Sequence, residues 1–266
     1  MKNGSYILLI LLMLFSNCEK VIDVDLNDAS PSVVIEATLS NVNNHAQVLI
    51  SKTGSYFGSG PAQAVSNAMV LLEDNAGRKI QFTEVQDGKY QSVRKFNVIP
   101  GRNYKITVTS EGETYEAESF LNYFVEIESL VSYYKEGQSF SKSGYNVNLY
   151  FRDPELINNY YRLKIYVNDE KEEVDKDFIV FDDENINGQY IELRIQRNIF
   201  DLGDRVTFEL ISLDKGAFEY FNSLQELISV NPGSTAPANP ISNFSNGALG
   251  YFSAFSFDRK TIVIEE

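Results

Sequence analysis

The chain has 266 residues, among them 37 Asp and Glu, 23 Lys and Arg and a single Cys, and its formal net charge is −14. This acidity argues against binding to nucleic acid or to an anionic membrane surface, because both attract clustered Lys and Arg. The single cysteine excludes an intramolecular disulfide, so the fold depends on its core alone. The 16 Tyr and 18 Phe residues, together with frequent turn signals, favour β-structure.

The first residues resemble a bacterial lipoprotein signal. Lys2 gives a positive start, an apolar run of nine residues follows, and a Ser-Asn pair leads into Cys18. Such a run is too short to span a bilayer, which takes roughly 20 residues. We therefore predict a lipoprotein signal peptide over residues 1–17, acylation of Cys18 and an acidic tether over residues 18–30. The alternative is an ordinary signal peptide with a cysteine nearby by chance.

Short strand patterns follow one another after the tether. Residues 104–109 alternate between apolar and polar, which is typical of a strand with one buried face. The block from Ala68 to Ser119 resembles transthyretin-like or carboxypeptidase-regulatory-like modules, through the segments Asp87–Tyr90 and Pro100–Tyr104. We predict a mainly β fold that begins with an Ig/transthyretin-like β-sandwich over residues 31–121.

The second part of the chain predicts another antiparallel β-rich domain, over residues 122–266. Its strand patterns lie at residues 126–134, 145–151, 161–167, 178–181, 190–195, 206–213, 250–257 and 261–264. One helix is predicted over Lys215–Val230, with Asp214 as its N-cap. This helix covers a face or an end of the sheet. A long loop over residues 231–247 follows, and loops of this length are often functional.

A turn in the second domain is a candidate calcium site. Asp183, Asn185 and Asn187, followed by Gly188, match the first half of a calcium-binding loop. The twelfth position of that loop is Arg194 instead of the usual Glu, so the segment is not an EF-hand. The alternative is a plain hairpin turn, because Asn-Gly between two strands is a strong hairpin signal.

The long loop is a candidate surface for a partner or a ligand. Its candidate residues combine side-chain amides with aromatic faces, a mixture that suits a protein partner or a small polar ligand. These residues are Asn239, Asn243, Phe244, Asn246 and Tyr251. The alternative is a loop that packs on the end of the sandwich, with its Asn residues bonded to its own backbone.

Enzymatic chemistry has little support in the sequence. The only histidine, His45, lies in a polar stretch that reads as a solvated loop, and no Gly-x-Ser-x-Gly motif accompanies it. One His and one acylated Cys cannot form a zinc site, and no phosphate-binding loop is present. We predict a protein that is not an enzyme and has no cofactor besides the candidate calcium ion. A hydrolase that uses paired carboxylates is the weaker alternative.

Nearly the whole chain resembles the Bacteroidota outer-membrane lipoproteins of the domain-of-unknown-function family 4249. The segments that carry the resemblance are Cys18–Leu26, Pro31 with Val33–Ala37, Asp182–Gly188 and Asn239–Ala254. The resemblance implies a two-part β-rich lipoprotein, often encoded near a TonB-dependent outer-membrane transporter, and it implies no defined activity.

The functional expectation follows from the anchor and this resemblance. We expect a non-catalytic lipoprotein that is anchored to the outer membrane by its lipid and is exposed at the cell surface. Its expected partner is a TonB-dependent transporter, and it would bind the transporter, the transported substrate or both. The alternative is a structural or adhesive envelope lipoprotein without a transport role.

Overall fold

The structure is a computed structural model that describes residues 31–42, 45–54, 62–137, 142–171, 179–195, 200–229 and 239–266, without the side chains of His45 and Lys171. The predicted signal peptide, the acylated Cys18 and the tether lie outside the described residues, as does the segment 231–238 of the predicted loop. The described residues are mainly β with a single helix, as the sequence predicts.

The N-terminal half is a sheet that folds over on itself. Its strands in the described residues are β1 (Val33–Ser40), β2 (His45–Lys52), β3 (Gln63–Ala64), β4 (Met69–Asp74), β5 (Lys79–Gln86), β6 (Lys89–Ser92), β7 (Asn103–Ser110) and β8 (Glu113–Phe120). They pair in the order β1-β2-β6-β5-β4-β7-β8, with the short β3 on β2. In β7 the apolar residues Tyr104, Ile106 and Val108 are buried and the residues between them are half-buried, which confirms the predicted alternation.

The folded-over sheet encloses the first core. Ile35 and Val48 enter this core from β1 and β2, whereas Leu72 and Ile106 enter from β4 and β7. The buried Tyr90 donates a hydrogen bond to the carbonyl oxygen of Val65 at 2.9 Å, so its hydroxyl is satisfied within an apolar environment.

The second half contains two sheets and the helix. Its elements are β9 (Ile127–Lys135), β10 (Gly144–Arg152), β11 (Tyr160–Val167), β12 (Glu170–Lys171), β13 (Ile179–Asp182), β14 (Tyr190–Arg194), β15 (Arg205–Leu213), α1 (Lys215–Ile228) and β16 (Leu249–Val263). The small sheet has the order β14-β10-β9, and it packs on β11, β15 and β16 around the second core. Helix α1 covers the opposite face of β15 through Ala217 and Phe221.

Strand β16 joins the two halves. Residues 249–255 pair in parallel with β1, and residues 256–263 pair antiparallel with β15. The two halves therefore share one continuous sheet, which has 13 strands in the part of the chain that the structure describes. Residues 31–266 form a single compact unit by their contacts.

The C-terminal strand differs from its prediction. The sequence predicts separate strands over residues 250–257 and 261–264, but one strand of 15 residues runs through both. The polar run Asp258–Lys260 between the two predicted strands stays in the strand because it lies opposite residues of β15. Part of the predicted second domain also packs with the N-terminal half, since residues 244–254 supply Phe244 and Phe252 to the first core.

The helix confirms its predicted start. Asp214 is the N-cap, and its Oδ1 accepts hydrogen bonds from the amide nitrogens of Gly216 at 2.8 Å and Ala217 at 3.2 Å. The helix ends at Ile228, two residues before the predicted end.

Candidate functional site

The residues predicted to bind calcium do not come together as a set of ligands. Asp183 is buried, and its Oδ2 accepts a hydrogen bond from the amide nitrogen of Asn159 at 2.8 Å. Asn185 and Asn187 are exposed to solvent. Across the described ranges, no three His, Cys, Asp or Glu side chains are grouped so that they could hold a metal ion. Calcium binding by this turn stays a prediction, which titration calorimetry with Ca²⁺ tests.

The hairpin alternative for this turn is wrong. Strand β13 pairs with β11 and β14 pairs with β10, so the turn connects two different sheets. Only Gly188 has a left-handed conformation, with φ 72°, whereas the hairpin turn requires it at Asn187 as well. The Gly188 amide donates to Oδ2 of Asp153 at 2.9 Å, and the hydroxyl of Tyr161 donates to Oδ1 of the same carboxylate. Burial raises the pKa of Asp153.

Three of the candidate residues of the long loop fix it in place, through β16 and through the N-terminal half. Asn243 donates to the carbonyl oxygen of Phe252 at 2.8 Å and accepts from its amide nitrogen at 2.9 Å. Phe244 is buried in the first core. The side-chain amide of Asn246 donates a hydrogen bond to Oε2 of Glu113, the first residue of β8, at 2.9 Å. Asn239 is exposed. The contacts of Asn243, Phe244 and Asn246 agree with the alternative in which the loop packs on the sandwich.

Tyr251 has a different environment from the other candidates. Its ring lies 4.7 Å from the ring centroids of both Tyr220 and Phe221 of helix α1. It also lines a cavity of about 50 Å³ on the helix-covered face of the continuous sheet. This cavity, hereafter the Ser253 cavity, is the candidate functional site of the protein.

Alternation along four neighbouring strands builds the Ser253 cavity. Second-neighbour residues of a strand point to the same face, so Arg162 and Lys164 of β11 share a face with residues 251, 253 and 255 of β16. Thr38 of β1 completes the polar part of the lining. The apolar remainder of the lining consists of Ile211, Leu213 and Phe221.

The hydroxyl of Ser253 is a buried polar group inside this cavity. Ser253 is only 1% exposed, and its Oγ has no hydrogen-bond partner among the described residues. A buried polar group left without a partner costs about 1–3 kcal/mol. A water needs about 10–15 Å³ of such space, and the cavity offers about 50 Å³. The cavity therefore has room for a small polar group that would satisfy this hydroxyl.

Two cations stand over aromatic rings beside this hydroxyl. The guanidinium carbon of Arg162 lies 4.2 Å from the ring centroid of Phe221, and Nζ of Lys164 lies 6.0 Å from that of Phe255. Burial lowers the pKa of Arg162, and the neighbouring tyrosine hydroxyls, first that of Tyr251, oppose this shift. Burial also raises the pKa of Tyr251 to about 12, so its hydroxyl is neutral near neutral pH.

This arrangement can recognise an anionic or hydrogen-bond-accepting group. The cations supply a positive potential, Ser253 and Thr38 supply hydroxyl donors, and aromatic rings supply apolar walls. The sequence shows Arg162 and Lys164 as the polar positions of an alternating strand, which is the available signal for their common face. The sequence does not show that β16 lies between β15 and β1, and this pairing assembles the site.

Comparison with known proteins gives a family but no characterised relative. A family model described as a domain of unknown function, DUF4249, matches residues 19–261. No curated protein matches the chain. Within the described residues, no helix has the length and apolar character needed to cross a membrane. The family match covers nearly the entire chain and confirms the predicted assignment to domain-of-unknown-function family 4249, so the protein belongs to the DUF4249 family.

Proposed function

We propose that this protein is a non-catalytic, lipid-anchored binding protein of the outer membrane, exposed at the cell surface, that acts with a TonB-dependent transporter. It would bind the transporter, the transported substrate or both. The observation that carries the proposal is the hydroxyl of Ser253, which has no partner among the described residues and lies in a cavity that also contains Arg162 and Lys164. A buried hydroxyl of this kind favours a binding site, because a ligand would supply its missing hydrogen-bond partner.

The pKa of Tyr251 does not suit it to acid–base catalysis in this cavity. A general acid or base works best with a pKa near the operating pH. The pKa of Tyr251 is about 12, far above that range, so its hydroxyl stays protonated. A tyrosine hydroxyl that stays protonated can donate a hydrogen bond to a ligand.

The proposed anchor is supported by the N-terminal sequence. Lys2, the apolar run and Cys18 follow the order of a lipoprotein signal. We expect Cys18→Ala to release the protein from membranes, because the acyl chains on that residue would be its attachment. Membrane fractionation of cells that express the parent and the variant measures this. Retention of the variant in the membrane fraction would contradict the anchor.

The proposed partner is tested by a pull-down of the natively expressed, tagged protein in mild detergent, followed by mass spectrometry. We expect a TonB-dependent transporter to co-purify in comparable amount with the parent. The Arg162→Gln variant keeps the anchor and separates substrate binding from transporter binding. If this variant no longer co-purifies with the transporter, the transporter contacts the protein at the Ser253 cavity. If the parent purifies alone, the structural or adhesive alternative takes precedence.

Surface exposure has its own test. Protease treatment of whole cells should remove the protein, whereas a periplasmic lipoprotein should survive until the cells are opened. Full protection on intact cells would contradict the outward orientation.

A further inference from the structure

The N-terminal half contains a larger cavity with a different lining. It has a volume of about 650 Å³, within the range of roughly 300–1,000 Å³ that is typical of small-molecule sites. Its walls are residues 78–81, at the start of β5, and residues 93–96, which follow β6, together with Leu71 of β4. We call it the basic groove.

The charge of the basic groove is opposite to that of the chain. Arg78, Lys79, Arg94 and Lys95 line it, and no carboxylate is among its lining residues. The chain as a whole has a formal net charge of −14. Four cations around one groove therefore form a local reversal of charge, and such a region attracts anions.

The ion pairs nearby show which of these charges are already compensated. Asp74 is buried and binds Arg78 at 2.9 Å as well as Arg102 at 2.6 Å, so it holds Arg78 in place. Lys79 pairs with Glu73 at 3.2 Å. Arg94 and Lys95 are both exposed, and neither has an ion-pair partner in the described part of the chain. The uncompensated charge of the groove is therefore concentrated on residues 94 and 95.

Apolar side chains line the same groove as the cations. Val93 is 59% exposed, and Leu71 and Phe96 are half-buried. The guanidinium carbon of Arg78 lies 5.9 Å from the ring centroid of Phe96. An inorganic anion would use only the charges, whereas a molecule with an anionic head and an apolar body would use both features.

We propose that the basic groove binds a single anionic amphiphile, a phosphate or carboxylate head on an alkyl chain. The head contacts Arg94 and Lys95, and the chain covers Leu71, Val93 and Phe96. This proposal does not depend on the Ser253 cavity or on a transporter, because no residue is shared between the two cavities.

The test is titration calorimetry of the whole mature chain with n-octyl phosphate below its critical micelle concentration. Inorganic phosphate and the neutral n-octyl glucoside are the two comparison probes. The variant is R94E with K95E, and the matched control is K135E with K142E, which makes the same charge change at two exposed residues of the second half. Circular dichroism checks that all three proteins have the same fold.

We expect saturable binding of one octyl phosphate per protein, at least tenfold weaker binding in the groove variant and an unchanged affinity in the control. We also expect the affinity to fall as salt is raised, because exposed charges are screened. Equal affinity for octyl glucoside or for inorganic phosphate would overturn the proposal, and so would an equal loss in the control variant. Binding of the protein to anionic vesicles without binding of soluble octyl phosphate would also overturn it, in favour of a membrane surface.

Discussion

Gly250 of β16 lies directly opposite Ile35 of β1 in the parallel pairing. It has φ +94°, and a Cβ atom at this position would clash with the carbonyl oxygen of Ile35. The clash involves the backbone of β1, which cannot move without breaking the parallel pairing between the strands. Only glycine satisfies both the conformation and the spacing here.

We predict that Gly250→Ala destabilises the protein by about 3 kcal/mol or more, because left-handed strain and a backbone clash act together. Gly112→Ala is the matched control, since Gly112 also has a positive φ, +86°, but nothing lies within 4 Å of its added Cβ. The control should lose only about 1–2 kcal/mol, the cost of the conformation alone. Urea unfolding of the parent and both variants measures the difference, and equal losses would show that the clash is relieved.

Ser253→Ala tests the state of the cavity hydroxyl. If Oγ has no partner in the ligand-free protein, its removal should leave the free energy of unfolding unchanged or raise it by up to about 1–3 kcal/mol. Thermal and urea unfolding measure this, and Ser256→Ala is the control because the hydroxyl of Ser256 donates to the carbonyl oxygen of Asn122 at 2.8 Å. Destabilisation of both variants to the same degree would mean that water already satisfies Ser253.

Among the elements, helix α1 is fixed at its start by one carboxylate, that of Asp214. Asp214 caps the helix with Oδ1, and its Oδ2 accepts a hydrogen bond from the hydroxyl of Ser119 in β8. That same hydroxyl accepts a hydrogen bond from the amide nitrogen of Ala254 at 2.7 Å. One carboxylate thus ties the helix, β8 and β16 together, and it places the helix over the Ser253 cavity.

We predict that Asp214→Ala lowers the free energy of unfolding by about 2 kcal/mol, because it removes both the cap and the link to Ser119. Asp214→Asn should lose less, since the amide oxygen can still cap the helix. Helical circular dichroism and urea unfolding check both variants. An alanine variant as stable as the parent would contradict this role.

The pH dependence of these variants gives a second measurement. Burial raises the pKa of Asp214 above its ordinary value of 3.8, so the folded protein binds this proton more tightly than the unfolded chain does. Its contribution to stability is fully present below 3.8 and is lost as the pH rises through the raised pKa. The stability of the parent relative to Asp214→Asn should therefore increase from neutral to mildly acidic pH. A constant difference would contradict the shift.

The local signals of the sequence predict elements well and contacts poorly. The alternation around Ile106 and the capping residue Asp214 depend on neighbours in sequence, and both predictions are confirmed. The orientation of Asp183 depends on Asn159, and the lining of the Ser253 cavity depends on the register of β16 with β1. These contacts join residues far apart in the chain, so periodicity and turn chemistry do not reveal them.

At the scale of the whole molecule, the shared sheet predicts cooperative unfolding. Strand β16 pairs with β1 through residues 249–255 and with β15 through residues 256–263, so its departure unpairs one edge of β1 and one edge of β15 and divides the continuous sheet. We expect a single transition in scanning calorimetry of the protein, and Gly250→Ala should move all of it to lower temperature. Two separate transitions, one of them unaffected by Gly250→Ala, would contradict this.

The position of β16 also determines when folding can finish during synthesis. Strand β1 lies near the start of the described residues and is made early, but its parallel partner, β16, lies near their end. Until that partner emerges, β1 presents an unpaired edge and the first core lacks Phe244 and Phe252. A nascent or truncated chain that ends before Leu249 is therefore prone to aggregation and proteolysis at the open edge of β1 and around the incomplete first core.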